Sequence, residues 1–248
     1  MTISLITVVY NRAATIEKTI QSVIRQSYPH IEYIVVDGAS TDGTLSIILQ
    51  YSHRIDTLIS EKDNGVYDAI NKGIMAATGN IIGIIHADDC FTHNDVIKNI
   101  VEQFVQHPFA ECLFGDVCFV RPQNPNEIIR YVSSSIFNAN RFRYGIMPAH
   151  PTFYCYKKFF DLHGLYRTDL DIASDFDLLL RFLKIHNLKY IYIPELMINM
   201  NLGGKSTSGL KSTLTINKEI CRVLKEHGIR SSYLHLYSRY FIKVREFF

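Results

Sequence analysis

Asp88 and Asp89 stand side by side just past an apolar run, in the stretch IIGIIHADDC. Carboxylates at the end of a buried strand can grip magnesium or manganese, an ion that takes a few carboxylates and completes its shell with phosphate oxygens and water. Such an ion neutralises the charge that grows on a diphosphate as it departs. Two further apolar runs end in polar groups, LITVVYN at Asn11 and IEYIVVDG at Asp37. A carboxylate placed like Asp37 can accept a hydrogen bond from a ribose hydroxyl or a base N–H. Each has an ordinary alternative: Asp89 can precede a helix as a cap, Asp37 can serve the turn in DGASTDGT, and His86 can be a hydrogen-bonded structural histidine.

The elements that carry these groups alternate. Ile3 to Val9 is a continuous β-branched strand, and Ile16, Ile20, Val23 and Ile24 then recur at helical spacing until Pro29. Ile31 to Val36 predicts a second strand. Leu45, Ile48 and Leu49 mark a helix, Thr57 to Ile59 a short strand, and Val66, Ile70, Ile74 and Ala77 another helix. Ile81 to Ile85 and Cys112 to Val120 are strands on either side of a helix through Val96, Ile97, Ile100, Val101 and Phe104. Apolar strands separated by amphipathic helices imply an α/β domain, with a mostly parallel central sheet and helices on both faces. Ligands of such sheets bind beyond the carboxyl ends of the strands, where Asn11, Asp37 and the Asp88–Asp89 pair fall. After residue 120 the alternation breaks. Pro122, Pro125, Pro148 and several Asn and Ser residues predict a loop over the pocket. A helix through Phe176, Leu179, Leu180 and Leu183, with Ser174 as its N-cap, and strands at Tyr190–Ile193 and Leu196–Met200 follow. Two helical patterns form a C-terminal extension over 209–248, beyond a domain over 1–208 that divides near residue 120.

Composition excludes several classes. The 248 residues are 47% hydrophobic, enough for a full core, and no apolar run approaches the roughly 20 residues of a spanning helix. The first residues, MTISLITVVYNR, enter a strand pattern directly and lack the charged start of a signal peptide. Net charge of +2 gives no argument for nucleic acid. Five scattered cysteines without a CxxC pair read as reduced thiols of a cytoplasmic protein. Neither GxGxxG nor GxxxxGK[ST] is present, which argues against a dinucleotide fold and a P-loop.

The stretches SLITVVYNR, YIVVDGASTDGT, SEKDNGVYDAINKG, ATGNIIGIIHADD and ASDFDLLLR, in this order and spacing, resemble glycosyltransferase family 2, the inverting enzymes of GT-A fold. EKDNGVYDAINKG resembles in particular the branch that builds bacterial exopolysaccharide, capsule and O-antigen units. The resemblance implies transfer of a sugar from a nucleotide diphosphate, a UDP-sugar by the family's tendency, to a hydroxyl of a glycan or lipid-linked glycan. It implies a Mg2+ or Mn2+ cofactor held by Asp88 and supported by Asp89. It implies that Thr7, Tyr10 and Arg12 border the nucleotide, that Asp37 binds its base or ribose, and that Asp68, Asn71 and Lys72 lie on a pocket-lining helix. Asp175 matches the catalytic position, and His150 falls where relatives carry an acceptor-side histidine. The sequence departs from the pattern at His86, Ile70 and Ser174.

An inverting transfer needs one carboxylate to take the proton of the attacking hydroxyl. Asp175 lies at a helix N-terminus, where the dipole favours its ionised form. Asp177 has Arg181 at i+4, the spacing of a structural pair, and Asp68 with Lys72 has the same spacing. Gly203, Gly204, Lys205 and Ser206 form a loop whose N–H groups and cation can close on a diphosphate or remain a solvated turn. The tail carries Tyr233, Tyr237, Tyr240, Phe241, Val244 and Phe248 in one stripe beside His235, Arg239, Lys243 and Arg245. That stripe over 231–248 can pack on the domain or lie at an anionic membrane surface, which would put the protein at the inner face of the cytoplasmic membrane. Two other readings fit the same sheet: a non-catalytic nucleotide-sugar binding protein, and a sugar-phosphate nucleotidylyltransferase whose glycine-rich start motif is missing here.

Overall fold

Strand β1 (Ile3–Val9) is buried along its whole length. Its side chains alternate across the sheet, as strand geometry requires. Ile6 and Val8 enter one core layer, and Ile3, Leu5 and Val9 enter the other. The computed structural model describes the backbone of residues 1–121, 124–201 and 210–243 and the side chains of 1–121, 127–201 and 212–239. Parallel to β1 run β2 (Ile31–Asp37) on one side and β4 (Ile81–Ile84) on the other, with β3 (Thr57–Ser60) beyond β2. Register pairs Val9 with Asp37 and Asp37 with Ser60, so the polar exits of β1, β2 and β3 come level.

The second half of the sheet is mixed. Strand β8 (Tyr154–Tyr156) runs antiparallel between β4 and β6 (Cys112–Arg121), while β9 (Tyr190–Asn201) is parallel to β6. Strand β5 (Asp89–Phe91) pairs antiparallel with the end of β9. The sheet order is β3-β2-β1-β4-β8-β6-β9-β5, with β7 (Asn124–Val132) attached to β6. Two expectations are corrected here. Part of the stretch expected to be loop is β7, which folds back on β6 through register shifts near Val120; the flanking prolines hide a strand that such irregular edges tolerate. The two strands expected at 190–200 are one, with a shift in its pairing to β6 between Phe114 and Asp116, opposite the Pro194 region.

Helices α1 (Ile16–Ile24), α2 (Thr44–Gln50) and α4 (Val96–Gln106) cover one face through Ile16, Ile20, Ile48, Ile97 and Phe104. The other face carries α3 (Val66–Ala76), α5 (Lys157–His163), α6 (Ser174–Leu180), α7 (Leu210–Glu226) and α8 (Tyr233–Lys243). Ile220, Val223 and Leu224 of α7 and Leu236 of α8 belong to that same core layer. Helix α6 continues into a π-helical turn, Arg181–Ile185. Its N-cap is Ala173 and not Ser174, which is its first helical residue.

Helix α3 lies close on the sheet because Gly73 has no side chain. A Cβ built there would meet the Ile6 Cγ2 at 2.4 Å. Ile6 is fully buried and cannot move aside. Gly73→Ala should therefore destabilise the protein by about 1–3 kcal/mol through overpacking, despite alanine's higher helix propensity. A melting temperature unchanged or raised in the variant would refute the tight α3–β1 packing.

Candidate active site

The loops leaving β1 and β2 are laced together. Asn11 adopts a left-handed conformation (φ 51°), one of the few residue types that does so readily. Its N–H donates to Ser40 Oγ at 2.8 Å, and its Oδ1 accepts the Thr41 N–H at 2.9 Å. The Arg12 N–H donates to Thr44 Oγ1, and the Ala13 N–H to Asp42. Beneath this lacing Asp37 is fully buried. Its carboxylate accepts the Ser60 hydroxyl at 2.7 Å and the Ser40 N–H at 3.2 Å. Asp37 thus anchors the turn, and Tyr10 (57% exposed) and Arg12 are the large exposed side chains on the β1 side of this rim.

Asp88 lies across the rim from Arg12. Its carboxylate accepts Arg12 Nε at 2.9 Å and the Thr15 hydroxyl at 2.6 Å, and about a third of its side chain is open to solvent. Behind it Asp89 is buried, and its Oδ2 has no hydrogen-bond partner. Burial, followed by the charge of Asp88, pushes the Asp89 carboxyl well above its usual range. An orphaned acid oxygen behind a half-open carboxylate suits a divalent cation, whose charge would relieve both. Among the described residues no three His, Cys, Asp or Glu side chains gather for a metal. The pair therefore fits magnesium or manganese, which bind through one or two carboxylates with phosphate and water, and does not fit an all-protein cage. Asn201 Nδ2 donates to the Asp88 carbonyl at 2.7 Å, which ties the end of β9 to this corner.

A path of rings joins this corner to Asp175. His86 lies 6.2 Å from His150, ring to ring. His150 Nε2 meets the Tyr166 hydroxyl at 2.7 Å, and Tyr166 stacks on Tyr67 at 5.9 Å. Burial, then the neighbouring His86, pushes His150 down to about 3. It is a neutral ring at working pH, so it cannot meet a phosphate as a cation. Burial and then Asp175's charge raise both Tyr67 and Tyr166, so the three groups share one electrostatic environment.

The two carboxylates at the start of α6 have different surroundings. Asp177 is fully buried and is held by Arg181 Nε at 2.8 Å, His227 Nε2 at 3.3 Å and Arg167 at 3.5 Å. Asp175 is partly open and accepts the Phe176 N–H at 2.7 Å. Its surroundings desolvate it, and with a smaller contribution from Glu219 its pKa is pushed up to about 7. The loop just before it is held by one carboxylate: Glu219 of α7 accepts the N–H groups of Asp171, Ile172 and Ala173 at 2.8, 3.0 and 2.9 Å.

The remaining expected residues divide. Thr7 is wholly buried, with its hydroxyl accepting from Tyr33, and does not reach the rim. This corrects its expected place beside the nucleotide: it shares the strand face of Leu5 and Val9. Asn71 is buried and uses both ends of its amide on the backbone of Tyr166, at 2.8 and 2.9 Å. It positions the ring path, and a ligand contact is not its role in this structure. Lys72 pairs with Glu61 at 2.7 Å and more loosely with Asp68 at 3.8 Å, and Asp68 accepts the Asn64 N–H. Lys205 and its loop lie outside the described residues. Thr15, Tyr67, Tyr166 and Glu219 were not singled out in the sequence. Only the DFD helix start gave a local signal for this corner, and Glu219 lies 44 positions beyond Asp175.

The chain is similar to several known proteins. A PGL/p-HBAD biosynthesis glycosyltransferase of Mycobacterium bovis is 27% identical over 224 residues, 89% of this chain and 83% of the relative. A Bacillus subtilis protein named for teichuronic acid biosynthesis is 38% identical over 101 residues, 40% of each chain. Among solved structures, Staphylococcus aureus TarS 1–349 in complex with UDP-GlcNAc superimposes with a TM-score of 0.69 at 18% identity, over 90% of this chain and 66% of that one. The mannosyltransferase PcManGT of Pyrobaculum calidifontis, in complex with GDP-Man and Mn2+, superimposes with a TM-score of 0.60 at 22% identity, over 83% of this chain and 58% of that one. This chain spans 43% of the longer TarS chain. These likenesses show the GT-A fold. Residues 4–162, well over half of the chain, match Glycosyl transferase family 2, and the protein belongs to that family of transferases.

Proposed function

We propose that this enzyme transfers a sugar, with inversion, from a UDP-sugar to a hydroxyl of a glycan or lipid-linked glycan in cell-surface polysaccharide synthesis. The observation that carries the reading is the contrast between Asp175 and Asp177. Asp177 is saturated by Arg181, Arg167 and His227, whereas Asp175 has no cationic partner among the described residues, is partly open, and has a carboxyl poised near neutrality. A general base works best with a pKa close to the working pH. Asp175 accepts the proton of the acceptor hydroxyl as its oxygen attacks the anomeric carbon from the side opposite the diphosphate. The bond to the departing diphosphate breaks as the new glycosidic bond forms.

Tyr10 and Arg12 border the donor, on a seat whose shape Asp37 maintains from below. Asp88, backed by Asp89, would hold magnesium or manganese, which when bound supplies positive charge to the diphosphate. Arg12 lies in ion-pair contact with Asp88 and is placed to turn toward the phosphates when a cation takes the carboxylate. The neutral His150–Tyr166 pair forms the floor between donor and base. A UDP donor is supported by the family's tendency and by the UDP-GlcNAc complex of the TarS relative; a metal is supported by the Asp88–Asp89 arrangement and by the Mn2+ complex of PcManGT.

Binding, turnover and pH dependence test this reading. Asp88→Ala should abolish manganese-dependent UDP binding in calorimetry, and unchanged binding would remove the metal from this corner. Asp175→Asn should keep donor binding while transfer falls by orders of magnitude; near-normal turnover would place the base elsewhere. In the native enzyme kcat/KM should rise with pH through about 7, because only the ionised Asp175 accepts a proton. The sign for stability is opposite. The folded state retains this proton up to about 7, while the unfolded chain loses it near the ordinary carboxylate value, so Asp175 weakens the fold as pH rises through that window. Asp175→Asn should therefore melt higher than native protein at alkaline pH and lose that advantage in acid. Glu219→Gln removes a negative charge that raises Asp175, so the acid limb of the rate profile should move to lower pH. A limb that stays in place would show that Glu219 acts on the loop alone.

A further inference from the structure

The cleft is rich in acids, and unpaired cations gather in a different place. A cavity of about 1110 Å³ opens between residues 138–146, the π-helical turn Arg181–Ile185 and the approach to α8. Arg141, Arg143, Lys184 and Arg230 line it, with the amides of Asn138 and Asn140. None of these four cations has a carboxylate partner among the described residues, whereas Arg12, Lys72, Arg167, Arg181 and Arg222 all do. The stretches that supply the lining, 138–146, 181–185 and 229–238, contain no Asp or Glu. In a chain with a net charge of only +2, this is a polarised surface. Four like charges in one concave site repel one another, and an anion would relieve them.

A second feature adjoins the cavity. Helix α8 is held to the domain by buried Leu236 and by Arg239, which donates to the Gly145 carbonyl at 2.9 Å and to Asn217 Oδ1 at 2.6 Å. The first turns of the helix are thereby fixed with an apolar side outward: Leu234 is 82% exposed, Tyr233 52% and Tyr237 43%. Ser238 of the same helix lines the cavity, and Arg143 contacts His235. Tyrosines and a leucine beside a basic site are the composition of surfaces that settle at a lipid–water boundary. Among the described residues no helix is long and apolar enough to cross a membrane, so contact through this region would be at the surface.

We propose that the cavity lined by Arg141, Arg143, Lys184 and Arg230 receives the phosphate headgroup of an anionic phospholipid, while Tyr233, Leu234 and Tyr237 enter the bilayer interface. The site docks the enzyme on a membrane and stands independently of the transfer reaction. The test is co-sedimentation of the full chain with phosphatidylglycerol vesicles and with phosphatidylcholine vesicles. Binding is expected to the first and not the second, and to weaken with salt. Arg143→Gln combined with Arg230→Gln, both at exposed positions, should weaken it by roughly fivefold per cation removed. Leu234→Asp should also reduce it, with no loss of folding at so exposed a position. Equal partition onto both lipids, or a double variant that binds like native protein, overturns the proposal. Stabilisation by inorganic pyrophosphate without vesicle binding would assign the cavity to a free phosphate compound and would equally overturn the lipid. UDP binding with manganese, measured on the same variants, should be unchanged, so failure here is separable from failure of the transferase reading.

Discussion

Strand β1 is the constraint on which the site depends. It is buried on both faces and paired in parallel on both edges, so the chain leaving it has one direction available. The same holds for β2. Their exits must therefore meet, and the polar groups there satisfy one another through Asn11, Ser40, Thr41, Asp42 and Thr44. A backbone N–H shielded from water without a partner is costly, and here side chains of the neighbouring loop accept those of Asn11, Arg12 and Ala13. A donor seated on it would meet a preformed surface.

The other half of the site has a different origin. Asp175 is held by a loop, the loop by Glu219, and Glu219 by a helix whose Ile220, Val223 and Leu224 are core residues. The ring path through Tyr67, Tyr166 and His150 spans the two halves, and Asn71 fixes its middle by both ends of one amide. The Asp175 and Asp88–Asp89 corners are thus positioned by packing, and the raised pKa of Asp175 follows from the desolvation that this packing imposes.

Much of this was legible in the residues. The apolar runs of β1, β2 and β4 gave the parallel half and its polar rim, because burial on both faces leaves an unbroken signal. The family likeness points to Asp88 and Asp175, whose roles belong to the proposed function. Thr7 was misplaced although strand parity puts it with Leu5 and Val9, away from the rim. Strand β7 is hidden in the sequence because Pro125, between Asn124 and Asn126, opens it and its pairing is irregular. Asn71 reads as a polar pocket residue on its helix; only the fold shows that the Tyr166 backbone occupies it. Glu219 had no local signature, since its partners are three N–H groups far upstream.

That long-range tie has a consequence for truncation. The 171–173 loop takes the acceptor for its three N–H groups from Glu219, in a helix near the other end of the chain. A chain cut short before α7 would lose this latch beside Asp175 together with the core side chains Ile220, Val223 and Leu224.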